Sequence, residues 1–366
     1  MYHLLSSQES HAKAMLTSSR VKPSTPPSTP QPTPWQLQMK QAIRDPLELC
    51  RLLDLPDSLV APAREASHDF PLFAPRPFVS RIQHGDPADP LLRQLLPITD
   101  ELSSTPGFTA DPLSEHQQQA MPGLLQKYHG RALLVTTGAC AIHCRYCFRR
   151  HFPYHESPAA ASLWQPAIDQ LETDTDIEEV ILSGGDPLTL VDSQLKQLVD
   201  RLQEIPHLKL LRIHTRLPIM IPDRICDSLV DWLSGTRLQP IMVIHANHAR
   251  ELDGDVAASL GRLAAAGVML MNQSVLLAGV NDDASTLASL SRRLIELRVQ
   301  PYYLHQLDRV HGAAHFEVPV TRGRQIIRQL RAMLPGYAVP RYVQEVPGQP
   351  GKTPISSSEP CHATPG

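Results

Sequence analysis

Short apolar segments alternate with amphipathic patterns of helical period between about residues 131 and 335. The apolar segments are residues 133–137, 180–183, 210–214, 241–245, 268–272 and 301–305. Between two of them, Leu195, Leu198, Val199, Leu202 and Ile205 recur at the spacing of one helix face. Strand followed by helix, repeated in this way, predicts an α/β fold with a parallel sheet.

Polar residues recur where each predicted strand ends, in segments 183–186, 214–216, 245–248, 272–274 and 305–308. An open doubly wound sheet and a barrel both fit the alternation of strands and helices. In a barrel the C-terminal ends of all the strands meet at one mouth, which is where such folds hold their chemistry. The pattern therefore favours a partial, TIM-like (βα)6 barrel.

The rest of the chain divides by composition. Residues 1–34 are rich in Pro, Ser and Thr, which predicts a disordered tail because too little apolar surface is available to offset ordering entropy. Order is expected from Trp35, and Asp45 followed by Pro46 predicts a helix start. We expect a helical N-terminal region over 35–115, the barrel over 116–335 and a C-terminal segment over 336–366.

Overall charge excludes some partners. The formal net charge is −3, from 34 basic and 37 acidic residues, so no broad attraction to nucleic acid or anionic membrane is expected. No apolar run approaches the roughly 20 residues that cross a bilayer, and the first residues lack the order of a secretory signal. A cytoplasmic protein is predicted, and its six cysteines do not suggest a disulfide framework.

Cys140, Cys144 and Cys147 follow the first predicted strand with the spacing C-x3-C-x2-C. Three thiolates leave one iron of a [4Fe-4S] cluster free to bind another ligand. A zinc site is the competing interpretation, with His143 or His151 as the fourth ligand. The position of the loop after a barrel strand favours the cluster.

This spacing resembles the radical S-adenosylmethionine superfamily. The resemblance implies that the free iron binds the amino and carboxylate groups of S-adenosylmethionine, whose reductive cleavage yields a 5'-deoxyadenosyl radical. Gly184, Gly185 and Asp186 resemble the glycine-rich segment that receives the methionyl amino group in that superfamily. By itself, such a triplet more often marks a plain turn.

A narrower resemblance covers most of the chain from Trp35 to Pro354. Segments 144–150, 182–187, 272–277, 301–305 and 351–354 are similar to those of the lysine 2,3-aminomutase family. Membership implies a radical enzyme, also dependent on pyridoxal phosphate, that converts L-lysine to β-lysine. Segment 148–154 and the short C-terminal segment resemble the branch that supplies (R)-β-lysine to a lysyl ligase for modification of elongation factor P.

The family also implies roles for individual residues. Lys352 matches the lysine that binds pyridoxal phosphate covalently, and Arg149 matches the arginine that holds the substrate carboxylate. Asp308 and Glu345 match the two carboxylates that hold the ε-ammonium group, with Glu345 in place of an aspartate. Taken singly and without the resemblance, each of these would be interpreted as an ordinary solvated side chain.

Four further residues match cofactor contacts in the family. Tyr128 and Arg131 fall where it places groups near pyridoxal phosphate, whereas His245 and Gln273 fall where it contacts S-adenosylmethionine. A polar residue at a barrel mouth is often only a satisfied structural group.

The chain departs from the family at its structural zinc site. Asp283 stands where catabolic aminomutases have a zinc-binding cysteine, and Cys361 with His362 does not make four ligands, so no structural zinc is expected. Two alternative functions stay open from the sequence. One is a catabolic aminomutase acting on lysine or another amino acid, and the other is a zinc-binding interaction protein without catalysis.

Overall fold

A computed structural model describes residues 33–115, 119–121, 123–152 and 164–356 of the chain. The predicted tail up to residue 32 and the Cys361–His362 pair lie outside these residues. The described part begins with five short helices, α1 (Pro34–Lys40), α2 (Pro46–Leu52), α3 (Val60–Ala66), α4 (Arg76–Val79) and α5 (Pro90–Arg93). Asp45 caps α2 by accepting a hydrogen bond from the amide of Leu47, which confirms the predicted start of this helix.

The strands of the described residues form a single sheet in the order in which they occur in the chain. They are β1 (Gln119–Met121), β2 (Leu124–Tyr128), β3 (Arg131–Thr137), β4 (Glu179–Gly184), β5 (Leu210–Thr215), β6 (Gln239–Ile244), β7 (Met269–Val275), β8 (Gln300–His305), β9 (Arg341–Gln344) and β10 (Thr353–Pro354). Strands β3 to β8 coincide with the six predicted strands and pair in parallel. The predicted α/β class is confirmed, and the sheet does not close into a complete barrel.

The remaining helices follow the strands. They are α6 (Gln165–Thr173), α7 (Asp192–Glu204), α8 (Leu217–Met220), α9 (Asp227–Gly235), α10 (Gly254–Ala265), α11 (Ala284–Glu296) and α12 (Val320–Met333). In α7 the predicted apolar face is buried from Leu195 to Leu202, and Ile205 beyond its end is buried as well. Burial of one stripe of each helix against the sheet is what holds these layers together.

A seventh parallel strand was not predicted. Strand β9 pairs with β8, placing Arg341 opposite Tyr303, and β10 returns antiparallel to β9 with Thr353 opposite Gln344. Four residues with mixed polarity give too weak a periodic pattern to identify β9 from sequence. Because β9 joins the sheet, Glu345 and Lys352, at the two ends of the connection from β9 to β10, lie at the C-terminal ends of the parallel strands. The cysteine loop lies at these ends as well.

At the other edge, β1 and β2 form an antiparallel hairpin that joins β3. This hairpin carries Lys127 and Tyr128 beside the first parallel strand. Within the described residues, no helix is both long enough and apolar enough to cross a lipid bilayer.

Candidate active site

One cavity collects side chains from the C-terminal ends of the strands. Its volume is about 370 Å³. Every residue to which the family resemblance assigned a role lines it, namely Tyr128, Arg131, Cys140, Cys144, Cys147, Arg149, Gly184, Gly185, Asp186, His245, Gln273, Asp308, Glu345 and Lys352. Because residues in or directly after the strands from β2 to β9 line one cavity, the open sheet curves around it as a partial barrel does.

A second cavity, of about 700 Å³, shares Leu307, Asp308 and Glu345 with the first. The two carboxylates therefore line both cavities.

The three cysteines lie on one wall of the cavity, and their thiols are free. Burial, followed by the neighbouring sulfur of Cys144, raises the pKa of Cys147 to about 11, and burial likewise raises the pKa of Cys140. Buried thiols that repel one another as thiolates need a positive centre to ionise, and a metal cluster supplies one. Within the described residues no group of three or more metal-binding side chains is gathered around a single ion position.

The cysteine loop is braced by the N-terminal region. Glu101 accepts hydrogen bonds from Nε of Arg145 at 2.8 Å and from Nη2 of Arg150 at 2.9 Å, and all three side chains are buried. His143, one of the possible zinc ligands, is bonded through Nδ1 to the carbonyl of Pro71 at 2.8 Å. The helical region thus fixes the loop from behind while its sulfurs face the cavity.

Arg216 connects this loop to a buried polar cluster. Its Nη1 donates to Sγ of Cys144 at 2.8 Å, and its Nη2 donates to Gln94 at 2.6 Å and to Glu251 at 3.0 Å. This contact could not be predicted from the sequence, because Arg216 and Cys144 are 72 positions apart. A hydrogen bond and a positive charge at a ligand sulfur bear on the reduction potential of any cluster bound there.

The glycine-rich segment lies against the start of the cysteine loop. A Cβ atom on Gly184 would lie 2.5 Å from the carbonyl oxygen of Thr137, and one on Gly185 would lie 2.7 Å from the carbonyl carbon of Ala139. Gly184 also has a φ of 122°, which disfavours other residues. These two positions need glycine because two backbone segments touch there.

Asp186 has another task beside this segment. Its carboxylate accepts from Thr215 Oγ1 and the Arg216 amide at 2.7 Å each, and from the amides of Leu188 and Leu217 at 3.0 Å each. These bonds hold the turn between β5 and α8. With four donors from the chain already on it, the carboxylate stabilises the fold, and its predicted contact with an ammonium group stays a prediction.

Three histidines line the same cavity, of which His305 is buried and His214 and His245 are partly buried. Burial lowers the pKa of His245 and of His305 to about 3 each, and it lowers the pKa of His214 as well, so all three are neutral at pH 7. His245 is hydrogen-bonded to Gln273, with 2.9 Å between the two nitrogens. The Nε2 atoms of His214 and His305 and Nε of Arg131 are buried with no partner in the described part of the chain. Unpartnered polar atoms of this kind are what a polar cofactor would satisfy.

Arg149 is held by neighbouring side chains. Its Nε and Nη2 donate to Glu115 at 2.7 and 2.8 Å, and Nη1 donates to Ser183 Oγ at 3.1 Å. The guanidinium of Arg149 and the ammonium of Lys127 outweigh the effect of burial and lower the pKa of Glu115 to about 2. Neither Glu115 nor Lys127 was singled out from the sequence, where they are unremarkable charged residues.

Lys352 lies beside Glu345, with 2.5 Å between Nζ and Oε2. The second oxygen of Glu345 is 3.1 Å from Nζ of Lys127. These two ammonium groups overcome burial and hold the pKa of Glu345 well below its usual range. Burial, reinforced by the charge of Glu345, raises the pKa of Asp308 to about 7, so the two predicted ammonium-binding carboxylates differ in protonation.

Tyr128 and Arg131 meet across the end of the β2–β3 hairpin, with the guanidinium carbon 4.7 Å from the ring centre. Both face the same cavity as Lys352. This pair lies where a planar, phosphate-bearing cofactor attached to Lys352 could find an aromatic and a cationic contact.

Asp283 lies outside this cavity and caps α11 by accepting a hydrogen bond from the amide of Thr286. The absence of a structural zinc stays a prediction.

A curved α/β sheet with three cysteines at its mouth defines a class of metal-cluster proteins. Residues 129–213 match the family described as "4Fe-4S single cluster domain". This match includes the whole cysteine loop, confirms the expected iron–sulfur cluster and favours it over zinc.

Relatives of known name cover most of the chain. It is 49% identical over 323 residues to the L-lysine 2,3-aminomutase of Escherichia coli, covering 88% of this chain and 94% of that protein. It is 46% identical to the enzyme of the same name from Haemophilus influenzae, over 87% and 94% of the two chains. The protein of that name from Clostridium subterminale is 38% identical, over 76% of this chain and 67% of its own. The chain belongs to the L-lysine 2,3-aminomutase family.

Among solved structures, a radical SAM methyltransferase from Sphaerobacter thermophilus covers 60% of this chain and 68% of its own at 19% identity, with a TM-score of 0.42. The coproporphyrinogen III oxidase HemN of Escherichia coli, described as a radical SAM enzyme, covers 64% of this chain and 56% of its own at 14% identity, with a TM-score of 0.38.

Proposed function

We propose that this protein converts L-lysine to β-lysine by moving the amino group from C2 to C3. One observation carries the proposal. A single cavity holds the cluster-binding cysteine loop, Lys352, Arg149 and the carboxylates of Asp308 and Glu345. These are the groups needed to generate a radical, attach a carbonyl cofactor and hold both ends of an amino acid that carries a second ammonium group. Relatives that bear the name of this activity support it.

Three cofactors fit the residues present. Cys140, Cys144 and Cys147 would ligate a [4Fe-4S] cluster, and Gly184, Gly185, His245 and Gln273 would contact S-adenosylmethionine beside it. Tyr128, Arg131 and Lys352 would hold pyridoxal 5'-phosphate, whose polar groups could meet the unpartnered nitrogens of Arg131, His214 and His305. When bound, the cluster and S-adenosylmethionine supply a carbon radical that removes hydrogen, while pyridoxal phosphate supplies a conjugated carbonyl carbon for the migrating nitrogen.

The chain's own residues act by positioning. Arg149 offers a planar set of donors to the substrate carboxylate, and Glu345 with Asp308 accepts its ε-ammonium group. Holding both ends directs one C3 hydrogen toward the cysteine loop, and this converts a bimolecular step into one with a fixed geometry. The neutral histidines add no charge that would compete with the substrate.

The physiological role we propose is synthesis of (R)-β-lysine for elongation factor P, through a lysyl ligase that receives the product. Segment 148–154 supports this, since it resembles that branch of the family. A cytoplasmic location suits thiols that must stay reduced to hold a cluster. Supplying the product to the ligase with elongation factor P, and measuring the mass of the factor, tests the role. No mass change with active enzyme would contradict it.

The reaction itself is tested by anaerobic reconstitution with iron, sulfide and pyridoxal phosphate. S-adenosylmethionine, a reductant and L-lysine are then added, and the products are separated by chiral chromatography. A brown protein that forms β-lysine is expected. A brown protein that cleaves S-adenosylmethionine but leaves lysine unchanged would move the substrate elsewhere, and a colourless, zinc-loaded protein would overturn the proposal.

Lys352→Ala separates the two halves of the chemistry. It should abolish turnover, because the covalent attachment point for the carbonyl cofactor is lost, while iron content and S-adenosylmethionine cleavage stay at the wild-type level. Lys209→Ala is the matched control, since the side chain of Lys209 is 63% exposed on the surface. Wild-type turnover in Lys352→Ala would rule out its assigned role.

A further inference from the structure

Five charged side chains of alternating sign form a continuous row across the cavity wall. Glu115 pairs with Arg149 at 2.7 Å and with Lys127 at 2.8 Å. Lys127 also pairs with Glu345 at 3.1 Å, and Glu345 pairs with Lys352 at 2.5 Å. The row therefore runs without a break from Arg149, the proposed carboxylate-binding residue, through Glu345, a proposed ammonium-binding residue, to Lys352.

The middle of the row is the part most protected from water. The side chain of Glu115 is 3% exposed and that of Lys127 is 12% exposed. A charge buried to this degree is costly to leave without a partner, so the Glu115–Lys127 pair holds its geometry more firmly than a surface ion pair does. Lys127 also belongs to β2, which is hydrogen-bonded to β3, and its backbone is fixed by the sheet.

Each of the two proposed substrate-binding side chains is hydrogen-bonded to one member of the Glu115–Lys127 pair. Glu115 takes Nε and Nη2 of Arg149, while Ser183 takes Nη1, so the plane of the guanidinium is set. Lys127 takes Oε1 of Glu345, and Lys352 takes Oε2. Oε1 would therefore stay paired with Lys127 whether or not Lys352 holds a carbonyl cofactor.

We propose that Glu115 and Lys127 are positioning residues that fix the distance between Arg149 and Glu345, and thereby determine the length of diamino acid the enzyme accepts. The inference rests on the proposed function, because it takes Arg149 and Glu345 as the groups that hold the two ends of the substrate. A glutamate side chain has several rotatable bonds, and without Lys127 its carboxylate can follow ligands of different length.

Substrates that differ in length by one methylene test whether the distance between Arg149 and Glu345 is fixed. A pocket of fixed length discriminates between substrates that differ by one methylene by about 10- to 200-fold. Ornithine is one methylene shorter than lysine and homolysine is one longer, and each carries the same two charged ends. Loss of the Glu115–Lys127 pair should therefore reduce the differences in kcat/KM among these three compounds. This reduction should be larger than the decrease in rate for any one of them.

The experiment uses the reconstituted holoenzyme and compares kcat and KM for lysine, ornithine and homolysine. Calorimetric binding of the same three amino acids, without reductant, gives a second readout that needs no turnover. Lys127→Met should reduce the preference for lysine over ornithine by about tenfold or more, mainly through KM, and Lys127→Arg should restore most of it. Lys196→Met is the matched control, since the side chain of Lys196 is 58% exposed on α7.

Glu115→Asp keeps the negative charge but shortens the side chain that joins Lys127 to Arg149. It should also shift the preference among the three compounds. This variant provides the test if Lys127→Met does not fold. A folded, cluster-loaded Lys127→Met or Glu115→Asp enzyme with the wild-type preference would overturn the inference alone. A wild-type enzyme that converts none of the three would refute the proposed function, and the inference with it.

Discussion

Replacing Gly185 by alanine tests whether the glycine-rich segment and the cysteine loop depend on one another. The new Cβ would lie 2.7 Å from the carbonyl carbon of Ala139 and 2.8 Å from that of Gly138, and closer still to the oxygen of Ala139. All of these are backbone atoms, so no side-chain rotation can relieve the contact. One of the two segments must move.

The size of the movement follows from the same contacts. Ordinary van der Waals contact begins at 3.4 Å, so the segments must separate by roughly 0.7 Å or more, and overpacking of this kind costs about 1–3 kcal/mol of stability. The strain falls on the loop that carries Cys140, because Asp186 also donates its amide to the Ala139 carbonyl at 2.7 Å. A shift of about 1 Å in a reacting group can reduce a rate by about 100-fold.

The assay compares iron content, visible spectrum, melting temperature and the rate of S-adenosylmethionine cleavage after anaerobic reconstitution. Gly185→Ala should be less stable and cleave S-adenosylmethionine about 100-fold more slowly. Gly261→Ala is the matched control, since its Cβ would meet nothing within 4 Å. In the middle of α10 it should gain about 0.5–1 kcal/mol of stability. A Gly185→Ala protein with wild-type stability, cluster and cleavage rate would refute the reasoning.

Two further predictions concern charge. Burial and the charge of Glu345 raise the pKa of Asp308 to about 7. Because an ammonium ligand binds the ionised carboxylate, KM for lysine should rise about tenfold for each pH unit below 7. Lysine kinetics between pH 6 and 8 check this, and the effect should vanish in Asp308→Asn. Arg216→Lys keeps a positive charge but loses the fork that reaches Cys144, so the cluster potential should become more negative by roughly 30–100 mV. Redox titration followed by electron paramagnetic resonance measures it, and an unchanged potential would contradict the role of Arg216.

Local pattern was enough to predict much of this protein. The period of apolar residues identified β3 to β8, and the buried face of α7 is the one that its sequence indicates. The cap at Asp45 depends on its immediate neighbours. The cysteine spacing is local as well, and residues 129–213 match a single-cluster iron–sulfur family. Features of this kind depend on residues that are close together in the chain, so they can be predicted from the sequence.

Other features depended on contacts between distant parts of the chain. Lys127 and Glu345 are 218 positions apart, and Arg216 and Cys144 are 72 apart. Asp186 accepts hydrogen bonds from residues about 30 positions away, which gives it a structural task that its place beside two glycines does not indicate. The row that joins Arg149 to Lys352 exists only because the curved sheet brings β2, the loop after β3 and the end of β9 to one cavity. The sequence by itself determined which elements form and which chemistry they carry, whereas the pairing of buried charges was decided by the tertiary structure, because desolvation leaves each charge stable only beside a partner that the fold supplies.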